Sequence, residues 1–312
     1  MLPFLGVTIP VAIMAAVAPQ HRRSPFLWSI AFIVLTIFVG LRHHVGMDWN
    51  NYLHMIQKVN LSDFWHALTA VEPGYGLLLW IAGQNGWGVY GAYLLGTIIF
   101  MAGLFRFAKS TPAPWIALLA AMPYLVVVVA MSAARQAVSI GVLLWLFAEW
   151  KEASVAKRIT LVIFASLFHF SASIFFAFVF LDLRLPIWVK AIAVSVISLM
   201  VVFVLDASGH ADYYEATYLE DTQASFSPGA ISHVLLNAGP ALLCFLFGRR
   251  VRCILLPTRL QSQLAIFAIM LLMLAPVLST VASRLSIYLF PVSMSFFATL
   301  PALTRVDTHS SY

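Results

Sequence analysis

Charge is what this sequence has least of. Asp, Glu, Lys and Arg make up 10% of its 312 residues, against about 25% in an ordinary soluble domain, and the mean hydropathy is +0.93. That shortage, together with repeated long uncharged runs, excludes a water-soluble globular domain and is the composition of a polytopic helical membrane protein. The runs are continuous rather than alternating, which excludes a transmembrane β-barrel. No stretch matches GxxxxGK[ST] or GxSxG, so the chain lacks a P-loop and a hydrolase elbow. Cysteine is nearly absent: Cys244 and Cys253 flank the basic run Arg249–Arg252, expected on the cytosolic side, where thiols stay reduced. The formal net charge is +6. Its Lys and Arg sit in short loops at the ends of apolar runs, as orientation signals do, rather than in a patch for nucleic acid. Residues 1–20 have no basic segment ahead of their apolar run, so a retained first span is expected rather than a cleaved signal.

What is present is one large polar island. Residues 42–75, RHHVGMDWNNYLHMIQKVNLSDFWHALTAVEPGY, form the longest polar interruption of the chain. The preceding runs 3–19 and 26–41 are separated by Arg22 and Arg23, so the positive-inside rule puts that loop in the cytosol and the island outside. Within the island, Trp49, Tyr52, Leu53 and Ile56, then Phe64, Trp65 and Leu68, recur at helical spacing. They predict one or two amphipathic helices lying at the interface, the second starting at Ser62-Asp63. Further spans are expected at 87–105, 112–130, 133–149, 187–205, 229–247, 262–281 and 285–303, with a tight turn near Met131 and a short apolar piece at 75–82.

Residues 159–181 decide the topology. Crossing once, they leave Arg184, Lys190 and the run Arg249–Arg252 outside and the acidic loop 206–221 inside, the reverse of the usual pattern. Dipping in and returning as a re-entrant hairpin, broken near Phe168-His169-Phe170-Ser171, they bring every basic loop to the cytosol. Only Arg42, Lys58, Arg135 and Arg284 of the 18 Lys and Arg then lie outside, with Asp48, Asp63, Glu72, Asp206, Asp212, Glu215, Glu220 and Asp221. The expectation is a single polytopic domain over 1–312 of about eight to ten spans, with external segments near 42–74 and 206–228.

Charge inside apolar sequence marks the chemistry. Arg135 is the only charged residue between Lys109 and Glu149, and Arg284 the only one between Arg259 and Arg305. Each costs at least about 2.5–3.5 kcal/mol to insert at bilayer depth. Arg42, Arg135 and Arg284 fall at one membrane level, and planar guanidinium forks suit a diphosphate. The competing reading is that each snorkels to headgroups or pairs with Asp48 or Glu72. Those two carboxylates are candidate bases for an acceptor hydroxyl, or else salt-bridge partners that hold the loop down. His169 stands alone in an uncharged stretch beside Ser171 and Ser173. It is either a core residue or a proton carrier at the hairpin tip. His43, His44, Asp48 and His54 match no standard ligand spacing, so neither metal nor cofactor is expected. The tryptophans and tyrosines near the outer end, with His43, His44, His54 and His66, read as an interfacial belt.

In order, Arg42…Gly46-x-Asp48…Tyr52, Glu72-Pro73-Gly74-Tyr75, Arg135-Gln136, Phe168-His169-x-Ser171-Ala172 and Arg284-x-x-x-Tyr288 resemble the EpsG family of Wzy-type exopolysaccharide and O-antigen polymerases, over about residues 42–290. After the second motif the chain reads Gly76-Leu77-Leu78-Leu79-Trp80, where the family usually has an asparagine. The resemblance implies a GT-C-like helical fold in the inner membrane and a metal-free glycosyltransferase facing the periplasm. Its substrate would be an undecaprenyl-diphosphate-linked oligosaccharide, its other partners membrane lipid and a chain-length regulator. It also implies that Arg42, Arg135 and Arg284 hold the diphosphate, that Asp48, Glu72 or His169 acts in catalysis, and that Tyr75, Gln136 and Tyr288 are further substrate contacts. Two other classes stay open: another lipid-donor glycosyltransferase or ligase, with the same arginines and a different acceptor, and a polysaccharide or lipid transporter.

Overall fold

A backbone in lipid must satisfy its own N–H and C=O groups, so long apolar runs become helices. In the computed structural model, which describes residues 2–18, 24–60, 63–193, 195–196, 199, 230–246 and 258–306, every described regular element is helical. Gly88–Ser110, Pro114–Ser132 and Ser279–Pro301 are long and apolar enough to cross a bilayer, and Leu2–Val17, Pro25–Gly40, Phe170–Asp182, Ile231–Cys244 and Arg259–Leu274 are shorter apolar helices. The protein is an all-α polytopic membrane protein. Arg22, Arg23, Ser62, Cys253, the acidic loop 206–228, the basic run 249–252 and most of the span expected at 187–205 lie outside the described residues.

The chain divides into two compact units, residues 1–172 and 173–312. The first runs α1 (Leu2–Val17), α2 (Pro25–Gly40), α3 (Trp49–Asn60), α4 (Phe64–Thr69), α5 (Pro73–Gln84), α6 (Gly88–Ser110), α7 (Pro114–Ala121), a π-helical stretch Met122–Val129, α8 (Ala130–Ser132), α9 (Ala134–Glu149) and α10 (Val155–Ser166). Its centre is α9, which is buried from Gln136 to Leu144 without a break. α6 packs along it. At Gly103 and Gly141 the backbones meet: a Cβ added at Gly103 would lie 1.7 Å from the Gly141 carbonyl oxygen. Without a hydrophobic drive between helices in lipid, such close small-residue packing is the main attraction available. α1 and α2 present Leu5, Ile9, Ile13, Ile30, Ile33 and Ile37 outward, stripes of the kind that face lipid in a membrane protein.

The two expected amphipathic helices of the island are α3 and α4, and Asp63 caps α4 by accepting the His66 backbone N–H at 2.9 Å. The apolar stripe of α3, Trp49, Tyr52, Ile56 and Val59, packs into a core with Tyr75, Leu79 and Tyr93 from α5 and α6. The island is thereby fastened to the protein.

The span Pro114–Ser132 is not uniformly α-helical. Pro123 lacks the N–H that an α-helix needs there, and the eight residues Met122–Val129 are π-helical. The expected turn near Met131 follows, at Ala133. The expected break in 159–181 is also present. α10 ends at Ser166, a 3-10 turn covers Phe170–Ser173, and α11 (Ile174–Asp182) begins the second unit. At roughly 1.5 Å per residue, neither α10 nor α11 alone spans a core of about 30 Å.

The second unit continues with α12 (Ala230–Leu246), α13 (Thr258–Leu274), α14 (Ser279–Ser286), a 3-10 turn Ile287–Leu289 and α15 (Phe290–Val306). Here a boundary moves. The chain breaks at 275–278 rather than just before Arg284, so Arg284 sits within the helical stretch Ser279–Pro301.

Candidate active site

Four of the singled-out segments meet in the first unit. Glu72 precedes Pro73, which excludes the helical region for its backbone and starts α5 at the favoured first position. Its φ and ψ are −54° and 134°, and its carboxylate caps nothing. It forms instead a buried ion pair with Arg135. Arg135 stands in the first turn of α9, the end at which the helix dipole disfavours a cation. Its backbone N–H, one of the donors a helix start leaves unmatched, donates to the Tyr52 hydroxyl at 3.1 Å. Glu72 is fully buried, and 19% of the Arg135 side chain is exposed.

The third partner is the turn after α10. The Gly74 N–H donates to the Leu167 carbonyl at 2.7 Å, and a Cβ at Gly74 would lie 2.8 Å from that oxygen. The docking brings half-buried His169 into electrostatic reach of Glu72. The Ser171 N–H donates to His169 Nδ1 at 3.3 Å, and the Ser171 hydroxyl lies 2.6 Å from the same nitrogen. Burial opposes the charged form of Glu72, but the Arg135 guanidinium and then His169 outweigh it. The net effect holds the carboxyl below its ordinary value. Burial raises the Tyr52 hydroxyl, with Arg135 opposing.

The fourth segment is the loop 42–48. Arg42 is buried. Its guanidinium lies 3.6 Å over the Tyr93 ring and donates to the Val39 carbonyl at 3.0 Å, while its Nε finds no acceptor. The loop bends through His44 at φ 50° and Gly46 at φ 100°. At Gly46 a Cβ would stand 2.0 Å from the Met131 carbonyl oxygen, so the loop packs directly on the turn that precedes Arg135. Asp48 is half-buried, within electrostatic reach of Tyr52 and Tyr93. Among the described residues neither Arg42 nor Asp48 makes an ion pair, so this cation and this carboxylate remain open while Glu72 and Arg135 close on each other.

Tyr75 is fully buried, its ring 5.5 Å from Tyr52, and Gln136 is fully buried on α9. Arg284 and Tyr288 belong to the second unit. There Arg284 is half-buried, and Tyr288 is buried with its ring 5.6 Å from Phe175. Beside Arg284 runs a polar network that its apolar surroundings hid in the sequence. His233 Nδ1 lies 3.3 Å from the Ser283 hydroxyl, the Asn237 amide donates to the Ser286 hydroxyl at 3.0 Å, and that hydroxyl donates to the Ser283 carbonyl at 2.7 Å. The legible signal was His233 and Asn237 four residues apart on one helix face.

His43 and His44 are also more than belt residues. Their rings cluster with Trp49 and Tyr90: His43 Nδ1 is 2.6 Å from the Tyr90 hydroxyl, and the His44 ring is 5.3 Å from Trp49. His43, His44 and Tyr90 thus make an exposed aromatic rim over the buried Trp49, beside Asp48. Among the described residues no three His, Cys, Asp or Glu side chains gather as metal ligands would.

Compared with known families, residues 26–308 match the EpsG family. The chain belongs to the EpsG family. The match covers nearly the whole chain and fits a polysaccharide polymerase of the glycosyltransferase type in a membrane. No curated protein and no solved structure matches it. Four of the five motifs in which it resembles EpsG members are the segments that the fold of the first unit joins: Arg42 to Tyr52, Glu72 to Tyr75, Arg135-Gln136, and Phe168 to Ala172; the fifth, Arg284 to Tyr288, belongs to the second unit.

Proposed function

We propose that this EpsG member lengthens a polysaccharide by transferring a chain from an undecaprenyl-diphosphate carrier to the next carrier-linked repeat unit, on the outer face of the membrane. The observation that carries the reading is the contrast between the closed pair Glu72–Arg135 and the open pair of charges, Arg42 and Asp48, on the same cluster of tyrosines. A buried cation without a carboxylate is costly unless an anion arrives, and a diphosphate supplies one.

In this mechanism the acceptor hydroxyl oxygen attacks the anomeric carbon of the donor. The new O–C bond forms as the C–O bond to the diphosphate breaks. Asp48 takes the hydroxyl proton, because its carboxylate is the accessible one without an ion-pair partner. The electron pair leaves with the diphosphate. Arg135 and Arg42 neutralise the charge growing there. Glu72 serves by orienting Arg135, a narrower role than general base, and His169, held by Ser171, backs Glu72. Tyr75 and Gln136, both buried, act through the residues they support, and the exposed rim of His43, His44 and Tyr90 offers π faces to the acceptor sugar.

Purified protein reconstituted with purified lipid-linked repeat units tests the proposal. The expected product is a ladder of polymer lengths. Uptake or scrambling of the lipid-linked unit without any ladder would overturn it in favour of transport, and transfer of a single unit to a different acceptor would favour a ligase.

A further inference from the structure

The helix pair α2–α6 carries a second site at its other end. Arg42 stacks on Tyr93 near the start of α6, whereas Arg106 and Lys109 lie near its end, about 20 Å further along at the helical rise of roughly 1.5 Å per residue. Between them and the start of α2 opens a cavity of about 440 Å³, within the range of small-ligand sites. Its walls are aromatic: Trp28, Phe32, Phe105 and Trp145. Trp28 is buried, packed edge-on to Phe105 at 5.1 Å, and its indole N–H has no acceptor. The rim is cationic. The Lys109 ammonium lies 5.5 Å over the Trp28 ring and the Arg106 guanidinium 5.9 Å over Trp145. Arg106 pairs with Glu149, which is shared with Lys157, while Lys109 makes no ion pair among the described residues.

We infer that this groove holds one anionic glycerophospholipid of the leaflet opposite the proposed catalytic site. Three features fit that occupant together. The cavity opens beside the outward-facing Ile30, Ile33 and Ile37 of α2, so an acyl chain enters from the bilayer without crossing water. A phosphodiester at the rim meets Lys109 and Arg106, above the aromatic walls. The surrounding surface is also cationic: Lys151, Lys157 and Arg158 outnumber Glu149 and Glu152 there. Each cation near an anionic headgroup is worth several-fold in binding, so the two rim residues give a preference over a zwitterionic lipid on the order of thirtyfold.

The test uses the full chain in detergent, with native mass spectrometry and thermal unfolding. Phosphatidylglycerol, phosphatidylcholine of the same acyl chains, and inorganic phosphate are added separately. One retained phosphatidylglycerol and a raised Tm are expected, with little effect of the other two. Both responses should fall in Arg106→Gln/Lys109→Gln. They should also fall in Ser29→Trp, which fills the groove and leaves its charge unchanged. Equal responses to the two lipids, reproduction of the shift by inorganic phosphate, or persistence of the preference in either variant would overturn the assignment. None of these readouts depends on polymer synthesis, so failure here leaves the catalytic proposal standing, and the reverse.

Discussion

Glu72 and Arg135, 63 residues apart in sequence, form a buried ion pair with the carboxylate fully sealed from solvent. Removing one partner strands the other, which costs about 3–5 kcal/mol when a buried pair is broken. Arg135→Ala is therefore expected both to lower the Tm of the purified protein and to abolish the polymer ladder. Glu72→Gln combined with Arg135→Gln removes both charges and should regain most of the lost Tm while staying inactive. A double variant that made polymer of normal length would take Arg135 out of the mechanism.

The same pair sets a pH dependence. Glu72 has its pKa lowered in the folded state, so its contribution to stability is complete above the unfolded value of about 4.3. It is lost as pH falls through the folded value, where protonation releases Arg135. Thermal unfolding between neutral pH and strongly acidic pH should show wild type losing stability more steeply than Glu72→Gln at the acid end. Parallel curves for the two proteins would mean that Glu72 does not titrate with unfolding.

How much of this the sequence could disclose depended on contrast. Arg42, Glu72, Arg135 and His169 stood out because each is polar against apolar neighbours, and membrane insertion makes such residues expensive. Their division of labour was hidden, since which carboxylate meets Arg135 is decided by α5 docking on the turn after α10, a contact between remote segments. Trp49, Tyr90 and Tyr93 looked like any interfacial aromatics until the packing of α3 on α6 set Trp49 against both tyrosines, one of which carries Arg42 on its ring. His233 and Asn237, four residues apart on one helix face, were easily missed for the opposite reason: two uncharged polar groups in an apolar helix barely change its hydropathy.

Asp48 has the accessible carboxylate, so its loss should act on the chemistry and spare the fold. Asp48→Asn keeps the size of the side chain and removes its basicity. The expected result is a fall of about 10²–10⁴-fold in chain-extension rate, the usual worth of a general base, with Tm within about 0.5 kcal/mol equivalent of wild type. Donor binding, followed with a non-extendable lipid diphosphate, should stay near normal. A rate within a few-fold of wild type would transfer the proton to His169, and His169→Gln would then have to show the large effect.

The joint between α5 and the turn after α10 gives the last prediction. Gly74 meets the Leu167 carbonyl so closely that an added Cβ would stand 2.8 Å from its oxygen and 3.1 Å from its carbon. Both are backbone atoms that cannot rotate away, so Gly74→Ala must push the start of α5 off the turn and strain the Gly74 N–H bond to Leu167. Overpacking of this kind costs about 1–3 kcal/mol. It also moves Glu72 relative to both His169 and Arg135, so the polymer ladder should shorten or vanish although no charged group has changed. Gly6→Ala is the control: nothing lies within 4 Å of its added Cβ, and in a helix interior alanine is favoured over glycine by roughly 1 kcal/mol. Thermal unfolding and ladder length measured side by side should separate the two variants. If Gly74→Ala behaved like Gly6→Ala in both measurements, the contact with Leu167 would not be what holds Glu72 in place.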